Sequence, residues 1–339
     1  MSRTILIKNN FLQNIRKAIR QNTSFSKGDK VAVKAHLGEY GNLTHIRPQI
    51  LNAIVEELKE MGTKPFIFDT PTLYSGSRDT PEKYLETARR NGFSKETMGC
   101  PIIISDEGVK LKGKKYLDEV EVAKAIYDAD GMIVASHFKG HSGAGVGGCI
   151  KNLGMGATTK KMKEIQHTES QPIIVGECTG CGTCVTVCKE NAITLKNGKV
   201  SFDYDKCFGC GACIENCPND VLKPKKAKMR TLLSEVTGVV LDKFNPKKLL
   251  FINVLFDITQ RCDCVPIGGV NPNPIVCPNI GIIVSKDIVA ADKASLDLVR
   301  KSVGKKIFQE LHHVNPEVQL DSAVEFGLGS KEYELQILD

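Results

Sequence analysis

Tryptophan is absent from the 339 residues, and aromatic side chains make up only 6% of them. No basic stretch is interleaved with aromatics, so the chain offers no stacking platform for single-stranded nucleic acid. No run of about 18 apolar residues occurs, which argues against a membrane-spanning helix. The opening Met1-Ser2-Arg3-Thr4-Ile5-Leu6-Ile7-Lys8-Asn9-Asn10 has neither the long apolar core nor the small-residue cleavage site of a secretory signal. A cytoplasmic address is therefore the default expectation, with no membrane and no nucleic acid as partner. Charge of one sign is also scarce. Forty-six basic against 39 acidic residues leave +7, an excess that suits an acidic protein or a small anion.

Cysteine is what the chain has in quantity. There are 13, and eight of them crowd between Cys178 and Cys217. Disulfide frameworks belong to short secreted chains. An odd cysteine count in a long chain without a signal segment points instead to thiolate-bound metal.

Either side of that cluster the chain reads as α/β. Strands are expected over Lys30–His36, Lys64–Asp69, Pro101–Ile104, Gly131–Ser136, Leu249–Leu255, Ile280–Val284 and, at an edge, Tyr333–Leu338. Helical spacing of apolar residues covers Pro48–Met61, Pro81–Asn91, Val120–Asp128 and Asp287–Val303. Apolar strands separated by amphipathic helices predict a mostly parallel sheet covered on both faces. The rhythm stops at about Thr168 and resumes after the basic run Lys223–Arg230. The expected organisation is a discontinuous α/β domain, 1–170 and 227–339, with a small α+β ferredoxin-like two-cluster domain inserted at 171–226.

The insert carries Cys178, Cys181, Cys184 and Cys188, then Cys207, Cys210, Cys213 and Cys217 followed by Pro218. This is the spacing of a bacterial two-cluster ferredoxin, in which the fourth cysteine of each run ligates the other cluster. One [4Fe–4S] cluster is then expected on Cys178, Cys181, Cys184 and Cys217, the other on Cys207, Cys210, Cys213 and Cys188. Two-residue spacers let three thiolates converge from one tight turn. Gly180, Gly182, Gly209 and Gly211 give that turn its freedom. Zinc sites use other spacings. Lys189 stands where a second Pro is usual.

His137-Phe138-Lys139-Gly140-His141 runs into a glycine-rich stretch ending at Lys151-Asn152. It follows a strand, so it belongs at the carboxyl edge of the sheet, where α/β proteins bind ligands. It reads as an anion site of glycine N–H groups and lysines, as a metal site on His137 and His141, or as a mobile charged loop. It is not a P-loop, since no Gly-Lys-Ser/Thr closes it. His36 ends another strand and is expected in the same crevice as ligand or base. His36, His137, Lys139, His141 and Lys151 are the candidate catalytic residues. Arg47 is a candidate carboxylate clamp, Asp69 a strand-end carboxylate or a helix cap, and Cys149 a buried small residue more than a nucleophile. Cys262, Cys264 and Cys277 form a second group after a strand, read as a third metal centre, a redox pair or unliganded thiols.

Val33-Lys34-Ala35-His36, Phe68-Asp69-Thr70, Ser136–His141 with Lys151–Gly154, Asp257-Ile258-Thr259, Cys262-Asp263-Cys264 and Ile280–Asp287 together resemble the domain-of-unknown-function 362 family. The resemblance covers essentially the whole chain. It implies an iron–sulfur protein, often with an inserted ferredoxin module, and supplies no reaction. A fainter likeness to the nickel-pincer lactate racemase group implies a two-lobed α/β fold with a crevice site. The extra cysteines depart from that group.

Three functions compete. In the first, a redox enzyme passes electrons from an external donor through the insert to a small anionic substrate or a metal in the crevice. In the second, a non-catalytic electron carrier docks an acidic ferredoxin- or flavodoxin-type partner through Lys223–Arg230. In the third, a scaffold holds a labile metal centre on Cys262, Cys264 and Cys277.

Overall fold

The computed structural model describes residues 1–265 and 273–339. Part of the Gly/Pro/Asn loop between Cys264 and Cys277 lies outside the described residues.

Eight strands make the central sheet: β1 (Ser2–Ile7), β2 (Lys30–Ala35), β3 (Lys64–Asp69), β4 (Ile102–Ile104), β5 (Gly131–His137), β6 (Leu249–Leu255), β7 (Gly281–Ser285) and β8 (Tyr333–Leu338). Their spatial order is β8-β1-β7-β6-β5-β2-β3-β4. Only β7 runs against its neighbours β1 and β6; the other pairings are parallel. Every residue of β5 and β6 is buried. Strands covered on both faces have to be apolar throughout, which is why these read as unbroken apolar runs.

Helices α1 (Phe11–Asn22), α2 (Pro48–Glu60) and α3 (Pro81–Arg90) cover one face. Ile15, Leu51, Ile54 and Ala88 pack there on Val31, Val33, Ile133 and Ile252. Helices α4 (Cys149–Gly156), α5 (Lys160–Glu169), α6 (Met229–Leu241) and α7 (Ile288–Val303) cover the other. Leu153, Met162, Leu232 and Ala291 pack there on Ala32, Val134 and Phe251.

The expected strands all join this sheet, Tyr333–Leu338 as its edge. The helix expected over Val120–Asp128 is corrected. Glu119–Ala123 is a strand paired with Gly108–Lys112, and only Lys124–Tyr127 is helical. Glu119-Val120-Glu121-Val122 alternates with period two, and β-branched valines fit a pleated surface.

From β2 the chain steps outward to β3 and β4; from β5 it steps the other way to β6. β2 and β5 are neighbours, and the helix after β2 lies on the opposite face from the helices after β5. Their carboxyl ends therefore flank a topological switch point, where the two departing connections leave an open crevice.

The segment between α5 and α6 leaves the body through two antiparallel strands, Pro172–Ile174 and Leu222–Pro224. It has its own apolar centre of Ile193, Ile214, Leu222, Cys184 and Cys213. A hairpin, Ile193–Lys196 with Lys199–Phe202, turns at Asn197-Gly198, both at positive φ. The segment is anchored to the body. The His167 ring faces the Phe208 carbonyl at 2.7 Å, Asn216 donates to the His313 carbonyl, and Lys189 donates to the Leu311 carbonyl.

Candidate functional site

A crevice of about 1150 Å³ opens over the carboxyl ends of β2, β3 and β5. The body supplies one wall, with His36, Asp69, His141, Lys151, Cys262 and Cys264. The inserted segment supplies the other, with Lys189, Tyr204, Cys207 and Phe208.

His36 follows β2 directly. Its Nδ1 accepts the Gly38 N–H at 3.1 Å, and its Nε2 lies 3.5 Å from Cys264 Sγ and 2.7 Å from Arg78 Nη1. Burial, then the Arg78 charge, holds the imidazole below its ordinary value. Cys262 and Cys264 bring their sulfurs to 3.1 Å. Cys264 is held well below an ordinary thiol because Cys262 donates to it and Arg78 and His36 stand beside it; Cys262, sharing that proton, is pushed up. His36, Cys262 and Cys264 offer ligand atoms within 4.8 Å of one another.

Asp263, between the two cysteines, is fully buried. Its Oδ1 lies 2.8 Å from His137 Nδ1 and its Oδ2 3.0 Å from Lys139 Nζ. Burial opposes its ionisation, but His137 and Lys139 more than offset that and keep it ionised. The other nitrogen of His137 meets the Phe256 carbonyl at 2.8 Å, and Lys139 also donates to the His137 carbonyl. His137 and Lys139 therefore hold the Cys262–Cys264 loop from behind. Their polar groups are engaged with the protein.

A second buried network closes the strand ends. Lys34 Nζ donates to Asp69 Oδ1 at 2.8 Å and to Asn152 Oδ1 at 2.7 Å, and Tyr84 donates to Asp69 Oδ2. Asp69 is thus a strand-end carboxylate with a lysine partner. A Cβ on Gly156 would come within 2.5 Å of Lys34 Nζ, so the close helix approach needs glycine there. Lys163 donates to Thr70 Oγ1 and the Pro71 carbonyl. Burial pushes its amine down to about 7.

Four N–H groups of the glycine-rich segment are already taken by side chains of the protein. Gly143 and Ala144 donate to His141 Nδ1, at 3.1 and 3.0 Å. Cys149 and Ile150, at the start of α4, donate to the Asp292 carboxylate. The expected anion site of backbone amides is therefore corrected at these positions. Asp292 already caps that helix, and lysine is left as the cationic partner for a ligand. His141 lies well below its ordinary value through burial and the nearby Lys151. Lys151 lines the crevice and makes no hydrogen bond or ion pair among the described residues.

In the insert, Cys188, Cys207, Cys210 and Cys213 line one small cavity together with His312. Burial first raises the Cys207, Cys210 and Cys213 thiols, Cys188 adds to all three, and Cys207 adds to Cys210 and Cys213. Cys184 feels Cys178 and Cys181 in the same way. Gly180, Gly182, Gly209 and Gly211 all have φ between 68 and 79°, so the two halves turn alike. None of the eight cysteines is in a disulfide.

A family described as "Domain of unknown function (DUF362)" matches residues 31–297. The chain belongs to the DUF362 family. A thylakoid-associated protein of Synechocystis sp. is 26% identical to this DUF362 chain over 148 residues, 42% of it. The match covers 43% of that relative's own length. The lactate racemase apoprotein from Thermoanaerobacterium thermosaccharolyticum aligns in structure with a TM-score of 0.38 and 12% identity, over 75% of this chain and 51% of that one. Among the described residues, no helix is long and apolar enough to cross a membrane.

The DUF362 fold gathers His36, His137, Lys139, His141, Lys151, Cys262 and Cys264 at one crevice. It separates Cys277 from them. Cys277 pairs with Ile258 inside the apolar layer and touches Ser302 of α7, so the expected three-cysteine group is two cysteines and a histidine. Arg47 is also elsewhere: it pairs with Asp257 at 2.9 Å outside the crevice. Arg78, Lys163 and His312 were not expected. Arg78 sits in a polar loop and Lys163 in a lysine-rich helix start, and neither carries a pattern. Lys34, inside an apolar strand, was the one legible signal, since an isolated lysine is rarely buried without a partner.

Proposed function

We propose that this chain is an iron–sulfur oxidoreductase. Cys178, Cys181, Cys184 and Cys217 would hold one [4Fe–4S] cluster, and Cys207, Cys210, Cys213 and Cys188 the other. When bound, these clusters supply single electrons at low potential. The observation that carries the reading is the crevice itself, which has Cys207 and Phe208 in one wall and Cys262 and Cys264 in the other. The cavity lined by Cys188, Cys207, Cys210 and Cys213 supports the assignment of the second quartet.

The chain's own groups fit a small anionic substrate. Lys151 and Arg261 line the crevice with no side-chain partner among the described residues, and Lys163 can take or give a proton near neutral pH. His141, neutral and buried, presents its second nitrogen as a proton donor. Phe208 and Tyr204 add aromatic surface to the wall opposite. Lys225 and Lys226 are exposed on the neck of the insert and suit an acidic electron donor of ferredoxin or flavodoxin type.

Iron and acid-labile sulfide analysis with EPR on anaerobically purified protein tests this. About eight iron per chain with reducible cluster signals is expected for two cubanes. Zinc in their place, or no EPR signal on reduction, overturns the reading.

A further inference from the structure

We propose that Cys262 and Cys264 are a two-electron dithiol–disulfide couple at the inner end of the crevice, in place of a third metal centre. The proposal rests on the cluster reading above and names the group that receives its electrons.

The sulfur contact is the first argument. Two thiolates bound at about 2.3 Å to one tetrahedral ion stand about 3.8 Å apart. Here they are 3.1 Å apart, already in contact. A short closure along the line between them makes the bond, about 2.05 Å long in a disulfide.

The neighbouring imidazole is the second. A metal on His36 needs an open nitrogen with a lone pair, and each nitrogen already faces an N–H group. Gly38 N–H points at Nδ1, and the Arg78 guanidinium sits 2.7 Å from Nε2. Arg78 is itself buried, held by Glu39 at 3.1 Å. A fixed guanidinium repels an incoming cation and stabilises a thiolate. The Asp263 carboxylate, between the two cysteines, is turned to His137 and Lys139 and is not among the groups that could share a metal with His36, Cys262 and Cys264.

The third is the connection to the insert. His312 lines the cavity of Cys188, Cys207, Cys210 and Cys213. Its Nε2 lies 2.8 Å from the Gln260 carbonyl, two residues before Cys262. A single hydrogen bond and a short piece of backbone therefore separate that cavity from the dithiol.

The step balances. The disulfide takes two electrons, which the two clusters would supply one each when bound, and its S–S bond breaks. The Cys262 sulfur takes one proton from crevice water, and the Cys264 sulfur leaves as the thiolate facing Arg78. In reverse, the thiol and thiolate give two electrons to a two-electron acceptor bound in the crevice, release the proton and re-form the bond. The arrangement converts one-electron input into two-electron output.

The test is a reductive titration of anaerobic holoprotein with parallel thiol alkylation and mass spectrometry of the Cys262–Cys264 peptide. Wild type should take up about twice as many electrons per chain as the Cys262→Ser/Cys264→Ser variant, at equal iron content, because a disulfide is a two-electron couple. In wild type the peptide should be alkylated after reduction and protected before it. Cys277→Ser should titrate as wild type. Equal electron uptake in both proteins, peptide labelling independent of redox state, or an additional metal lost in the double variant overturns the couple. The wild-type labelling comparison needs no variant, so it decides the matter even where the double variant fails to fold. Iron well below about eight in wild type instead overturns the cluster reading, and this outcome is distinct from eight iron with an inert dithiol.

Discussion

Arg230 donates from Nη1 to the Gly143 carbonyl at 2.7 Å and to the Cys210 carbonyl at 3.1 Å, tying the crevice loop of the body to the cysteine loop of the insert. The guanidinium is completely buried and its Nη2 pairs with Glu215. The last residue of a basic run is thus an internal strut, and only the preceding lysines remain for a partner. Arg230→Met should destabilise by about 2 kcal/mol, because it leaves the buried Gly143 carbonyl and the Cys210 carbonyl without this donor, while Glu215 keeps Lys228 and the Asn315 N–H. Urea unfolding measures this, and limited proteolysis should show earlier cutting at the neck near 171 and 226.

Lys163 ties stability to pH. Its ordinary value is 10.5, and burial lowers it to about 7 in the folded chain. Between those values the unfolded chain holds a proton that the folded chain lacks. Stability therefore rises with pH through that window and falls as pH drops towards 7. The gain from pH 7 to pH 10 is on the order of 4 kcal/mol. Lys163→Met should lack it, so the difference between the two proteins' urea stabilities should change with pH. A constant difference would count against the assignment.

Asp263→Asn removes the charge that His137 and Lys139 hold from both sides. The expected loss is about 3 kcal/mol, the usual result of breaking a buried pair on one side. The loop between Cys262 and Cys264 should also loosen. Maleimide labelling of Cys264 in the reduced, folded protein should then quicken relative to reduced wild type, which a purely global loss corrected for stability would not produce.

Cys188→Ser and Cys277→Ser should separate cleanly. Cys188 lines the cavity with Cys207, Cys210 and Cys213, so its loss should remove about half of the iron. Cys277 lies in the apolar layer, so its loss should leave iron unchanged and cost only local packing.

Much of the fold was legible because buried parallel strands and one-sided helices leave unmistakable periodicities. Val31-Ala32-Val33 and Leu249–Leu255 could hardly be anything else. Strand β1 and helix α1 went unread, although Ile15, Ala18 and Ile19 make the usual apolar stripe. The direction of β7 could not be read, because an apolar pentapeptide looks the same whichever way it runs.

The placement of His36 and His137 over one crevice was readable from their position after strands. Chain order and local pattern also determined the eight cysteine spacings, the interruption of the α/β rhythm and the layering of the sheet, because each depends on neighbours a few residues apart. The partnerships did not. Arg78 against His36, Asp263 between His137 and Lys139, His312 beside the Cys207 cavity, and the removal of Cys277 from Cys262 and Cys264 all join residues far apart in the chain. Such contacts carry no local signature. They exist only once burial has brought the strand ends together and left each charged group to find a counterpart out of water.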